Sequence, residues 1–441
     1  MSLTRRSFIS VCGTAVVTTG LFPIGRLLGQ DTPGSAPAPA PAPVTKGKTL
    51  VLIFQRGGAD GLNMVAPFGE AAYTTYRPSI ALKAPTAGGD EAAKALDLDG
   101  FFGLHPRMRA LHRYFGAGEL AIVHAVGNPK NNRSHFNQQD VWETCRFDSL
   151  NTADGWLNRH LQTSEGHGPL RAVAVGQTLP RILRGTATAQ AIRSVKDLNY
   201  NNRFGNNDDI ARRLAERYGA NGSTPPAADD NVVRDAGKAT LEGMKALEDV
   251  AKRDYTPAEG ANYPERNGIA DRLRSVAQLI KAGVGLEVAV VDAGGWDTHQ
   301  NQGDAGAGQF ADRVGEMADA MAAFARDMGD GMRDVLVLTM TEFGRTAKQN
   351  GTSGTDHGHG SVMLALGGPV AAVKSGGRVH GLWPGMETEQ LNQKRDLAVT
   401  TDFRDVVTEV VTAHLGNTSL TSIVPDHVPA PVGLLLPGED F

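Results

Sequence analysis

The densest group of potential ligands in this 441-residue chain is Gly354-Thr355-Asp356-His357-Gly358-His359-Gly360. One carboxylate and two imidazoles fall within four residues, with glycine on both sides. Divalent ions such as zinc favour this mixture of nitrogen and oxygen donors, and glycine removes bulk from around an ion. The plain alternative is a histidine-rich surface turn. A second group, Gly294-Gly295-Trp296-Asp297-Thr298-His299, sets Asp297 and His299 two residues apart. On extended chain both would face the same way. Such a pair suits a metal, or belongs to a polar loop anchored by Trp296. A third, Thr341-Glu342-Phe343-Gly344-Arg345-Thr346, offers an acid and a fixed cation close together, or a local ion pair.

Two further residues could join them. Asp60 in RGGADGLN would point its carboxylate into a crevice that the glycines leave open, or would bond its own turn. Ser134 in NNRSHFNQQD begins an expected helix. A hydroxyl there sits among backbone N–H groups at a positive dipole end, which suits an oxyanion. A helix N-cap needs the same residue type at the same place. Arg133 and His135 beside Ser134 strengthen the functional reading.

Positioning these groups is the task of the elements before them. Short apolar runs, each closed by a turn, predict strands at Thr49–Phe54, Glu119–Val126, Arg171–Val175, Leu286–Val291, Asp334–Thr339 and Ser361–Leu366. Stripes at helical spacing predict helices at His105–Tyr114, Gly268–Ala282 and Gln309–Met328. Thr401 is expected to cap a last helix from Asp402 to Leu415, before Gly416. Strand, turn, helix, strand is the pattern of an α/β fold, a mostly parallel central sheet flanked by helices. Most of the singled-out polar residues follow strands, where such sheets bind ligands. Residues 186–265, polar and rich in Asn and Asp, read as a helical insertion or cap.

The N-terminus carries an address. Arg5-Arg6-Ser7-Phe8 precedes a stretch to Leu28 whose only charge is Arg26, and no acid appears before Asp31. This is the grammar of a twin-arginine signal, expected over residues 1–30, with the translocase as partner and the periplasm or the outside as destination. Gly13, Gly20, Pro23 and Gly25 interrupt the apolar run, which argues for a cleaved signal over a stable membrane span. Residues 31–48, with the run GSAPAPAPAPV, read as an extended Ala/Pro spacer. The folded domain is then 49–441. Of two cysteines, Cys12 lies in the signal, so Cys145 would be alone afterwards and no internal disulfide could form. The formal charge of −4 falls to −7 once the three arginines of residues 1–30 are removed, which argues against a nucleic-acid partner. No iron–sulfur or haem motif accompanies the lone cysteine, which argues against an exported redox protein.

Six segments share a further property. RGGADGLN, RSHFNQQDVWE, GWLNRHL, GGWDTHQNQG, TEFGRTAKQNGTSGTDHGHG and TTDFRDVV together resemble the domain-of-unknown-function family 1501, from about Leu50 to Leu415. That family is grouped with the alkaline phosphatase and sulfatase superfamily. The resemblance implies an alkaline phosphatase-like core and one or two divalent ions at the strand ends, zinc first, with manganese or calcium as alternatives. It also implies hydrolysis of a phosphate or sulfate ester of a small molecule or glycan. Residue by residue, Asp60 matches the first metal-bridging Asp and Ser134 the nucleophile. Asp297 and His299 resemble the Asp and His of one metal site, although the usual spacing is Asp-x-x-x-His. Asp356-His357-Gly358 resembles either the Asp-His pair or the final His. In the second case Glu342-Phe343 occupies the Asp-His place, and Phe343 cannot bind metal. Arg133 or Arg345 would hold non-bridging oxygens. No Cys/Ser-x-Pro-x-Arg motif is present, which argues against a formylglycine sulfatase. Two functions follow: an exported metal-dependent ester hydrolase with a Ser nucleophile or a metal-activated water, or a non-catalytic binding or assembly protein on the same fold.

Overall fold

The computed structural model describes residues 47–148, 153–166, 168–195, 231–368, 370 and 379–435. The expected signal, most of the spacer and part of the expected insertion lie outside the described residues.

Thr49–Gln55 (β1) is buried along its whole length, as its unbroken apolar run requires of a central strand. Alternate side chains serve opposite layers. Val51 and Ile53 join one core, Leu50, Leu52 and Phe54 the other. The main sheet continues with Leu120–Gly127 (β2), Ala172–Val175 (β3), Gln190–Ile192 (β4), Val288–Ala293 (β5), Val335–Met340 (β6), Ser361–Gly367 (β7), Val379–His380 (β8) and Thr401–Asp402 (β9). Their order is β8-β2-β7-β6-β1-β5-β3-β4, with β9 also pairing β2. All the pairings are parallel except those of β7, which runs antiparallel to β2 and β6. The fold is the expected mixed α/β architecture, and all six expected strands form.

Helices Arg109–Gly116 (α1), Asn231–Ala251 (α4), Gly268–Lys281 (α5) and Gln309–Met328 (α6) put residues into the first core. His135–Thr144 (α2), Trp156–Thr163 (α3) and Phe403–Glu409 (α7) cover the opposite face. Asn267 caps α5 through Oδ1, which accepts from the N–H groups of Ile269 and Ala270.

Two local expectations are corrected. The helix expected after Thr401 is capped by Asp402, whose Oδ1 accepts from Arg404 N at 3.0 Å; Thr401 is taken by strand pairing with Val126. Inside 186–265 the chain first adds β4 to the sheet edge before turning helical, because Gln190–Ile192 finds open backbone along β3. Among the described residues no helix is long and apolar enough to cross a membrane.

Because β7 is reversed, the residues before it lie at the same sheet edge as those after β1, β2, β5 and β6. All the candidate groups therefore meet at one edge.

Candidate metal centre

The segment between β2 and α2 is shaped by its own asparagines. Asn131 Oδ1 accepts from Arg133 N at 2.6 Å, and Asn132 Oδ1 accepts from Ser134 N at 3.1 Å. Arg133 takes a left-handed φ of 60°, which turns the chain into α2. Asn131 Nδ2 donates to Gly358 O at 3.0 Å, tying this segment to the loop before β7. His135, the first residue of α2, is thereby brought to His357.

Three imidazoles converge there. His135 Nε2 lies 3.0 Å from His357 Nε2, and His299 Nε2 lies 2.9 Å from the same atom. Asp297 Oδ1 is 3.2 Å from His357 Nε2 and 3.1 Å from His299 Nε2, and its Oδ2 is 3.5 Å from His135 Nε2. Ligand atoms of His135, Asp297 and His357 form a group able to hold one ion.

The other ring nitrogens decide what these contacts mean. His357 Nδ1 faces Arg133 O at 2.9 Å, His135 Nδ1 faces Glu342 Oε1 at 2.8 Å, and His299 Nδ1 faces Asp356 Oδ1 at 3.0 Å. A carbonyl or carboxylate oxygen only accepts, so each Nδ1 is the donor. In the neutral rings every Nε2 then carries a bare lone pair. Two lone pairs at this separation repel. Ligands placed about 2.0–2.1 Å from a shared tetrahedral zinc ion stand roughly 3.3 Å apart, a few tenths of an ångström beyond these contacts, so the donor set fits a cation after a small opening. Outer hydrogen bonds that fix tautomer and ring direction are the usual support of metal-binding histidines.

Electrostatics divide the rings. The hydrogen bond to Glu342 holds His135 above its ordinary range, which favours its protonated form, while burial holds His357 below its own, which favours the neutral ligand. Burial opposes ionisation of Asp297 most strongly, yet Arg345 together with His299 and His135 keeps the carboxyl below its usual range. Glu342 behaves alike: burial raises it, and the His135 and Gln139 hydrogen bonds bring it below the ordinary value. The centre remains open, with the Asp297 and His299 side chains 46% and 40% exposed.

Several expected roles are corrected. Arg345 was expected to grip substrate oxygens, but its side chain is fully buried. Its guanidinium donates to the carbonyls of Gly57, Gly58, Trp296 and Thr355 and to Asp297 Oδ1. It positions Asp297. Glu342, expected as a ligand, is fully buried and accepts from His135, Gln139 Nε2 and Gly57 N, so it orients His135. Asp356 orients His299. Asp60, also expected as a ligand, is locked in the core: Oδ2 accepts from Arg77 Nη1 and Gln302 Nε2, each at 2.7 Å. His359 belongs to a neighbouring cluster, with Nδ1 at 2.9 Å from Asp396 Oδ2. That oxygen also takes the Arg133 guanidinium, so Arg133 offers the centre its carbonyl and not its charge. Ser134 is the N-cap residue of α2, but its side chain makes no capping bond. It sits between the Arg133 carbonyl that His357 uses and His135 itself. Phe343 is a wall: its ring centroid is 4.8 Å from those of His135 and His357.

His135 is the residue that sequence reasoning left out of the donor set. A lone histidine at a helix start carries no spacing signal. Its one clue is Gln139, four residues on and on the same helix face, which shares Glu342 Oε1 with it.

A mostly parallel α/β sheet with a histidine–carboxylate centre at the carboxyl edge is the class that fold and site define. The chain belongs to the DUF1501 family, described as protein of unknown function, which it matches over residues 47–424. Among solved structures it is similar to the PsFucS1 sulfatase from Pseudoalteromonas sp., at 13% identity and a TM-score of 0.39, covering 89% of this chain and 72% of that one. It is also similar to the alkaline phosphatase of the Antarctic bacterium TAB5, at 10% identity and a TM-score of 0.29, covering 74% and 92%. The PH0037 protein from Pyrococcus horikoshii matches at 12% identity and a TM-score of 0.29, covering 87% and 99%. No curated protein matches the chain.

Proposed function

We propose that this protein is an exported, metal-dependent hydrolase of a phosphate or sulfate ester. The observation that carries the reading is the convergence of three imidazole Nε2 atoms on the Asp297 carboxylate, with every Nδ1 already committed as a donor.

His135, His357 and Asp297 would hold the ion, with His299 beside them against His357 and Asp297, and with zinc first and manganese or calcium as alternatives. A divalent ion bound there supplies positive charge to an ester oxyanion and lowers the pKa of a hydroxyl or water. The rest is done by the chain. Ser134 presents an uncapped hydroxyl at the N-terminus of α2, where free N–H groups favour negative charge. Asp297 is kept ionised by Arg345, and Glu342 keeps His135 in one tautomer. Phe343 closes the inner side of the centre and keeps water from behind it.

Export rests on the sequence around Arg5 and Arg6: a twin-arginine signal in residues 1–30, a spacer in 31–48 and the folded domain in 49–441. The substrate would be a small-molecule or glycan ester met outside the cytoplasm.

The test is metal content of protein purified without chelators, followed by an ester screen. Stoichiometric metal in the wild type, lost in His357→Ala, together with turnover that Ser134→Ala abolishes, is expected. Turnover that survives Ser134→Ala transfers the attack to water. A metal-free wild type overturns the mechanism and leaves a binding or assembly protein, the reading that the Phe343 wall favours.

A further inference from the structure

Beside the metal centre lies a cleft of about 490 Å³. That is the size of a small-molecule site. The two are joined by one face of α2. His135, Gln139 and Glu143 follow one another at four-residue intervals: the first is in the centre, the last in the cleft, and Gln139 touches both. Its Nε2 donates to Glu342 Oε1, and its Oε1 accepts from Arg56 Nη1. At about 1.5 Å per residue the cleft extends about 12 Å from His135.

We infer that this cleft binds the hydroxyl-rich, sugar-like body of the substrate whose ester group reaches the metal centre. The inference rests on the ester-hydrolase reading for the identity of the reacting group, and on the cleft alone for the rest.

The chemistry of the walls selects the ligand. Arg56, Arg181 and Arg184 face Asp140, Glu143 and Asp292, so the formal charges cancel. A polyanion would meet three carboxylates, and a polycation three guanidinium groups. An apolar ligand would find little to cover. The walls are also set in place before any ligand arrives. Arg56 bonds Glu143 at 2.6 Å and Asp292 at 2.9 Å while stacking on Phe54, and Arg181 bonds Asp140 at 2.6 Å. Glu143 Oε2 accepts from Ile182 N at 2.8 Å, which ties α2 to the opposite wall. What remains is a row of donors beside acceptors. Asp292 is 41% and Asp140 31% exposed in their side chains, and among the described residues the exposed Arg184 spends only Nε, on Leu179 O. A sugar hydroxyl both donates and accepts, so neighbouring hydroxyls match such pairs. Phe136, next to His135 and four residues before Asp140 on α2, is 88% exposed. Its ring offers an apolar surface to the C–H face of a sugar.

The experiment is a printed array of neutral and polyanionic oligosaccharides probed with the full-length protein, followed by calorimetric titration of the best ligand. A neutral oligosaccharide is expected to bind. Arg184→Ala and Asp140→Ala should each weaken it about tenfold, the effect of one charge-assisted hydrogen bond, with metal content and thermal midpoint unchanged. His357→Ala should still bind it. The inference is overturned if no neutral oligosaccharide binds, if the two cleft variants bind as the wild type does, or if only polyanions bind. Failure of the hydrolase reading registers separately, as absent metal and no turnover of p-nitrophenyl phosphate or sulfate.

Discussion

His135 Nε2 and His357 Nε2 stand 3.0 Å apart, although each ring already donates its Nδ1–H to an oxygen. Neither nitrogen can donate to the other while both rings are neutral, and a cation shared by them would resolve the contact. What each ring loses when its orienting partner is changed can be measured.

Glu342→Gln keeps the shape and removes the charge that fixes His135. Metal affinity should fall by about 10–100-fold, as for other orienting partners. Competition with a chromogenic chelator measures it. Unchanged affinity would mean that His135 is not a ligand.

Asp60→Ala separates the core from the centre. It leaves Arg77 buried without its carboxylate, and the cost should be about 3–5 kcal/mol in chemical denaturation. Metal content should stay at the wild-type level. Loss of metal with stability intact would restore Asp60 as a ligand.

Arg345→Lys retains a cation but loses the planar fork that serves the Gly57, Gly58, Trp296 and Thr355 carbonyls. At least one buried acceptor is then unsatisfied, which costs about 1–3 kcal/mol. Asp297 would lose its restraint, so metal affinity should weaken in the same variant. A variant as stable as the wild type would contradict the positioning role.

Acid should destabilise the protein through its buried histidines before its carboxylates titrate. Burial pushes His105 down to about 3, and His124 and His414 to about 4 each. In the unfolded chain these groups titrate near 6.5. The folded state therefore refuses protons that the unfolded state takes up as pH falls through about 6.5. Stability should be level above that pH and decline below it, by up to about 1.4 kcal/mol per pH unit for each histidine, until the folded values are reached. Urea denaturation from about pH 7.5 to pH 5 reads this directly. A flat profile would place these rings in contact with solvent.

The strands were legible because each is a short apolar run ending at a turn, and Asp297, His299 and His357 were legible because they follow or precede strands amid glycine. Roles were harder. Glu342 and Arg345 have the types of a ligand and an anion-binding cation, but both are buried by partners remote in sequence. The carbonyl of Gly58 that Arg345 takes is 287 residues away. Gly58 itself shows why a local motif misleads. Its φ is +71°, and a Cβ there would lie 2.4 Å from the Phe343 ring, so that glycine makes room for the wall rather than for a ligand. Asp60 looked like a ligand for the same reason: nothing near it in sequence announces Arg77 as its partner.

The bonds that aim the three rings run to groups already held by the folded chain: Glu342 is gripped by Gly57 N, Arg133 by Asn131, and Asp356 by Asn350. Behind them stand two apolar layers that owe nothing to an ion. The centre is accordingly a socket and not a staple. An ion bound there would be exchanged without refolding, and the choice among competing ions would fall to the mineral supply around the protein.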